Sequence, residues 1–112
     1  MEKDPLGKQQ HQSGAKLDAG KPATSLLLGF GKALLAVAEV GTIGMRKYTR
    51  NGWEKVPDGV NRYTDAMLRH VLAEGQELRD KDTGVLHAAQ TAWNALARLE
   101  LMLRQEGKHG GR

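Results

Sequence analysis

Residues Arg62 to Asn94 read RYTDAMLRHVLAEGQELRDKDTGVLHAAQTAWN. The stretch predicts two helices joined by a short turn. Tyr63, Met67, His70, Glu74 and Glu77 recur at steps of three and four, so they share one helical stripe. Beyond the turn, His87, Gln90 or Thr91, and Asn94 form a second polar stripe. It runs beside the apolar Leu86, Ala89, Trp93 and Leu96. Burying such groups without partners costs about 1–3 kcal/mol each. Two polar stripes set among apolar residues therefore point to a site that holds something charged.

The same periodicity extends in both directions. Upstream, Leu27, Phe30, Leu34, Val37 or Ala38, Met45 and Tyr48 predict a first helix over 26–48, with Thr24 or Ser25 as its cap. Its glycines, Gly29, Gly31, Gly41 and Gly44, weaken it by about 1 kcal/mol each relative to alanine and imply close packing or a kink. Turn signals at Asn51-Gly52 and Pro57-Asp58-Gly59 mark 49–60 as a loop. Trp53 in that loop reads either as a lid over the core or as a ligand contact. Asn61 is the expected cap of the second helix, which runs to Arg79, with Asp65 and Arg69 paired on its outer face. A tight turn over 80–84, with Asp82 or Thr83 as cap, leads to a third helix over 85–105 that Gly107 stops. No segment reads as a strand. The expectation is an all-α domain of three or more helices over 16–106. A flexible tail (1–15) precedes it and a disordered one (107–112) follows.

Composition narrows the class. The 112 residues suit one domain with a modest core, and only 4% are aromatic. A small core beside a glycine-rich helix suggests a homo-oligomer that completes its core by association. There is no cysteine, hence no disulfide and no thiolate site. MEKDPLGKQQ lacks the apolar centre of a signal peptide, and no apolar run is read as approaching the ~20 residues of a membrane span. The expected location is the cytoplasm, without a membrane partner. The net charge of +4 is compatible with a nucleic-acid partner, a nucleotide, or a solvated surface with basic tails. Glu and Asp are mixed among the Lys and Arg of the helices, which argues against nucleic acid.

Among candidate site residues, Glu77 and Asp80 form an E-x-x-D pair at the end of the second helix. Carboxylates one turn apart can share a hard divalent cation. Glu39 lies in the apolar LLAVAEVGTIG, where a carboxylate is costly unless paired or metal-bound, and facing inward it would complete a three-carboxylate site. His70 and His87 read as hydrogen-bonded core histidines, or as groups that position a water or bind phosphate. They lack H-x-x-x-H spacing and have no cysteine beside them, which argues against structural zinc. Lys16, Lys21, Arg62 and Arg69 are candidates to neutralise phosphates. Lys21 stands in a Gly/Pro turn before a helix, a favourable setting for an anion. No P-loop, no G-x-S-x-G elbow and no Ser-His-Asp order is present.

The ordered elements KLDAGKP, AEVGTIGMRKY, NGWEKVPD, RYTDAMLRH, ELRDKDTGVLH and AWNAL resemble the N-terminal domain family of phage dATP/dGTP diphosphohydrolases, small all-α proteins similar to MazG-like nucleotide pyrophosphohydrolases. The resemblance spans about residues 16–103. It implies Mg²⁺- or Mn²⁺-dependent hydrolysis of a purine deoxynucleoside triphosphate to monophosphate and pyrophosphate, in a host cytoplasm if the chain is phage-encoded. It further implies metal binding by Glu39, Glu77 and Asp80, and catalytic roles for His70, His87 and Asn94. Substrate binding would fall to Lys21, Tyr48, Trp53, Arg62 and Arg69. A second reading keeps the same pocket but has it sequester a nucleotide or nucleotide-derived signal without cleaving it.

Overall fold

A computed structural model describes residues 2–109, with side chains described through Gly107. Three α-helices account for most of it: α1 (Gly31–Lys47), α2 (Gly59–Glu74) and α3 (His87–His109). Short 3-10 helices cover Thr24–Phe30 and Gly52–Lys55. The fold is all-α; among the described residues the one β feature is an isolated antiparallel bridge between Arg79 and Leu86. The chain divides into two compact units, Met1–Phe30 and Gly31–Arg112.

In the first unit, turns replace the patternless tail expected from composition. The Asp4 carboxylate accepts hydrogen bonds from the N–H groups of Leu6 and Lys16, both at 2.7 Å. Lys21 donates its backbone N–H to the Asp18 carbonyl at 3.0 Å, and its ammonium meets Glu2 at 2.9 Å. Residues 26–30, expected as the start of the first α-helix, belong instead to the 3-10 helix Thr24–Phe30, none of which is buried. Gly29 and Gly31 flank the point where the α-helix begins, and no packed side chain there favours α geometry.

The second unit is built on α2 and α3, which run antiparallel. Gly59 at the start of α2 faces Leu101, Thr64 faces Arg98, and His70 faces His87. The Arg98 guanidinium donates to the Thr64 hydroxyl at 2.7 Å. α2 starts earlier than the sequence suggests. Asp58 sits at the N-cap in the left-handed region (φ 55°), a conformation Asp tolerates, and Asn61 lies one turn inside and donates to the Asp58 carboxylate at 2.9 Å. α2 also ends earlier, at Glu74. Gly75, Gln76 and Glu77 turn their N–H groups back onto the Leu72 and Ala73 carbonyls and close the last turn. α3 then starts at His87 and runs through Gly107 to His109, so Gly107 does not stop it; residues 110–112 of the expected tail lie outside the described part.

α1 packs on α3 through one close approach. A Cβ placed on Gly41 would lie 2.5 Å from the Trp93 ring, whereas one on Gly44, Gly29 or Gly31 would meet nothing within 4 Å. Of the four helix-weakening glycines, one is thus required by packing.

The core is thin. Val37, Val85, Ala89 and Ala97 are its buried apolar residues, and no large side chain among the described residues is fully enclosed. Leu35, Leu68, Val71, Leu72, Leu96, Leu99 and Leu103 remain exposed. The helical stretch Thr24–Lys47 is long and apolar enough to cross a membrane by length and composition, which corrects the expectation that no apolar run approaches that size. It holds Lys32 and Glu39 within it, and N-terminal apolar helices of other kinds meet the same criterion, so it assigns no membrane by itself.

A side chain at position 41 has no room beside a rigid indole. Gly41→Val is expected to lower stability by about 1–3 kcal/mol through overpacking. Gly44→Ala is expected to raise it by roughly 1 kcal/mol through helix propensity. Paired urea denaturation curves check both, and equal effects of the two substitutions would refute the close-packing account.

Candidate nucleotide pocket and a histidine–aspartate cluster

The α1–α2–α3 unit forms a half-open cavity of about 800 Å³, within the size range of small-molecule sites. α1 supplies Val40, Gly41, Gly44 and Met45. The connection to α2 supplies Tyr48, Arg50 and Trp53. α2 adds Arg62, Tyr63, Asp65 and Arg69, and α3 adds Trp93 and Asn94. Five residues singled out from the sequence therefore line one space: Tyr48, Trp53, Arg62, Arg69 and Asn94.

Aromatic groups form its apolar part. Trp53 and Trp93 meet edge to face, with centroids 6.2 Å apart and planes at 76°. The Tyr63 hydroxyl donates to the Trp53 carbonyl at 2.8 Å and pins the loop to α2. Arg104 lies over Trp53 at 5.4 Å and pairs with Glu54 and Glu100. Trp53 thus packs against Trp93 and lines the cavity. Tyr48 is exposed, with the Lys47 ammonium 5.4 Å from its ring.

Three guanidinium groups ring the same space. Arg62 donates to the Pro57 carbonyl at 3.3 Å, while Arg50 was not anticipated from the sequence. Its place in a turn-rich loop gave no periodic signal. The expected Asp65–Arg69 ion pair on an outer face is not formed; both residues line the cavity.

Behind the cavity, α2, α3 and the loop between them assemble a second polar group. The loop Glu77–Leu86 folds back on itself. Asp80 donates its N–H to the Val85 carbonyl at 2.9 Å, Gly84 donates to the Asp80 carbonyl at 2.8 Å, and His87 donates to the Leu78 carbonyl at 3.1 Å. Gly84 at φ 77° supplies the left-handed turn. This arrangement brings His70, Asp80 and His87 together, with one ligand-type atom from each lying within 4.8 Å of the others. The two Nδ1 atoms are 3.0 Å apart. Asp80 Oδ2 accepts from the Gln90 side chain at 3.0 Å and Oδ1 from the Asp82 N–H at 2.8 Å. Asn94 Nδ2 donates to the Gln90 carbonyl at 2.8 Å, so a cavity residue and Asp80 are tied through Gln90. All three residues are candidates in the sequence, but there Asp80 is grouped with Glu39 and Glu77 rather than with the histidines.

The remaining expected metal and phosphate ligands lie elsewhere. Glu39 is exposed on α1 rather than turned inward. Glu77 lies beyond the end of α2 and meets Lys81 at 3.7 Å, so Glu77 and Asp80 do not present an E-x-x-D helical pair. Among the described residues, neither Glu39 nor Glu77 joins Asp80 in a group able to share an ion. Lys21 belongs to the unit Met1–Phe30 and is paired with Glu2.

The electrostatics of the cluster are uneven. Burial lowers the His70 pKa from its ordinary value; the nearby His87 and Arg69 act in the same direction and Asp80 opposes them. The hydrogen bond from Gln90, then that from the Asp82 N–H, hold the Asp80 carboxyl below its usual 3.8. For His70 the unfolded chain binds the proton more tightly than the folded one. Its contribution to stability is complete above the unfolded value near 6.5 and drains as pH falls from there through the lower folded value. Asp80 loses its contribution only in the more acidic range at and below 3.8. With a chelator present, stability is expected to decline on acidification through pH 6.5 in the wild type, and less steeply in His70→Gln. Identical pH profiles by thermal denaturation would contradict this.

No curated protein and no solved structure matches the chain. The family model described as dATP/dGTP diphosphohydrolase, N-terminal, matches residues 11–110 and so takes in all three helices, the cavity and the histidine–aspartate cluster. The chain belongs to the dATP/dGTP diphosphohydrolase N-terminal domain family.

Proposed function

We propose that the cavity binds a purine deoxynucleoside triphosphate and that the chain hydrolyses it to the monophosphate and pyrophosphate. The observation that supports this most directly is the pairing of aromatic surface with three guanidinium groups in one space of about 800 Å³. Trp53 or Tyr48 would stack on the base, since aromatic faces are suited to nucleobases. Arg62 and Arg69, joined by Arg50, would hold the phosphates through charge-assisted hydrogen bonds. Asn94, 8% exposed at the cavity wall, offers a fixed polar contact. In the reaction, water attacks the α-phosphorus, the bond from it to the oxygen bridging the β-phosphorus breaks, and pyrophosphate leaves with that oxygen. The proton lost by the water passes to solvent.

A divalent ion, Mg²⁺ or Mn²⁺, belongs to this proposal as the charge-neutralising partner of the triphosphate. Glu39, Glu77 and Asp80 do not converge to hold it, so no step is assigned to them as a set. Assembly into a homo-oligomer, action in a host cytoplasm and a phage origin are part of the same proposal. The exposed leucines of α2 and α3 favour association. The alternative, sequestration without cleavage, uses the same cavity. It is favoured by Gln90, whose amide occupies an oxygen of Asp80 beside the histidines.

Incubation of the purified chain with each common ribo- and deoxynucleoside triphosphate, with Mg²⁺ or Mn²⁺ and with EDTA, tests the reading. Monophosphate and pyrophosphate are expected from purine deoxynucleotides only when metal is present. Arg69→Ala is expected to weaken nucleotide binding about 10–100-fold, the loss of one charge-assisted contact. Binding without turnover would transfer the chain to the sequestering class. Neither binding nor turnover would overturn both readings.

A further inference from the structure

We propose that His70, Asp80 and His87 form a binding site for one six-coordinate first-row transition dication of the Mn²⁺, Fe²⁺ or Co²⁺ type, not for Mg²⁺. The argument rests on ligand chemistry and separation. Two imidazoles and one carboxylate are a donor set suited to such ions, and Mg²⁺ prefers oxygen alone. With metal–nitrogen bonds of about 2.1 Å, two adjacent ligands lie about 3.0 Å apart at a 90° angle and about 3.4 Å apart at a tetrahedral angle. The Nδ1 atoms of His70 and His87 are 3.0 Å apart, which fits the right-angled arrangement. An oxygen of Asp80 belongs to the same 4.8 Å group of ligand-type atoms and is the third donor. A six-coordinate ion would complete its shell with water.

His87 is 4% exposed, so packing fixes its ring with Nδ1 toward His70. In the metal-free pair, one ring donates from Nδ1 to the other. Binding the ion requires the donating ring to carry its proton on Nε2 instead, so the two neutral rings bind without net proton release. The ligands come from α2, the hydrogen-bonded loop and the first residue of α3, and the backbone bonds of that loop hold Asp80 in place without the ion. The site does not depend on the nucleotide reading, because the ion alone is its ligand.

The test is binding of Co²⁺ to the full chain without nucleotide, by equilibrium dialysis with visible absorption. One Co²⁺ per chain, with the weak absorption of a six-coordinate ion and no displacement by excess Mg²⁺, is expected. His70→Ala and Asp80→Asn are expected to lower affinity about tenfold or more. Wild-type binding no tighter than that of folded His70→Ala would overturn the site. If the variants fail to fold, the ring ¹⁵N signals of the wild type during Zn²⁺ addition decide. Movement of the Nδ1 signals of His70 and His87 supports the proposal. Movement confined to His11 and His109, or none, refutes it.

Discussion

The contact of Gly41 with the Trp93 ring sets how closely α1 approaches α3. Because no side chain stands at position 41, the indole of α3 lies directly on the backbone of α1. From there it meets Trp53 edge to face and forms part of the cavity wall. In a small domain with few buried side chains this approach helps to hold α1 on α3, while α2 and α3 are held by contacts of their own, Gly59 with Leu101 and Thr64 with Arg98. The cost of a glycine inside a helix is offset by close packing of a large aromatic.

The second constraint is the loop between α2 and α3. Its backbone bonds return the chain so that His87 faces His70 across seventeen residues of sequence. The same turn places Asp80 beside both rings and ties it to α3 through Gln90. The cavity and the cluster are consequently adjacent parts of one framework. Arg69 and His70 are neighbours in sequence, one lining the cavity and the other in the cluster, while Asn94 leads through Gln90 to Asp80. The cavity lining and the cluster draw on the helices and on the hydrogen-bonded segments that connect them.

Much of the cavity was legible before folding was considered. Tyr48 and Asn94 stand on predicted helical stripes, Arg62 and Arg69 read as phosphate-neutralising candidates, and Trp53 reads as a loop aromatic; the structure brings all five to one space. Arg50 was missed because it sits in a turn, where periodicity carries no information. The carboxylate argument failed for a different reason. It assumed that Glu77 and Asp80 continue the second helix, but Gly75 ends that helix and the loop rotates Asp80 away toward the histidines. The apolar neighbours of Glu39 leave an inward orientation open, and the structure exposes it. In a helix with a single buried residue, an apolar neighbourhood in sequence does not mean burial.

Local chemistry in the chain was enough to determine the class of fold. Leucine and alanine at helical intervals, with Gly-Pro-Asp-Asn punctuation between them, specify three helices, and the ordered motifs specify the family. Which polar residues meet was decided only in three dimensions. The separation of His70 from His87 depends on where α2 stops, how the loop closes and which face of α3 packs inward. Each of these is set by contacts between residues distant in the chain, such as Gly59 with Leu101 and Thr64 with Arg98. Periodicity reports the face a residue occupies on its own helix. The partner of that face is a property of the packed helices alone.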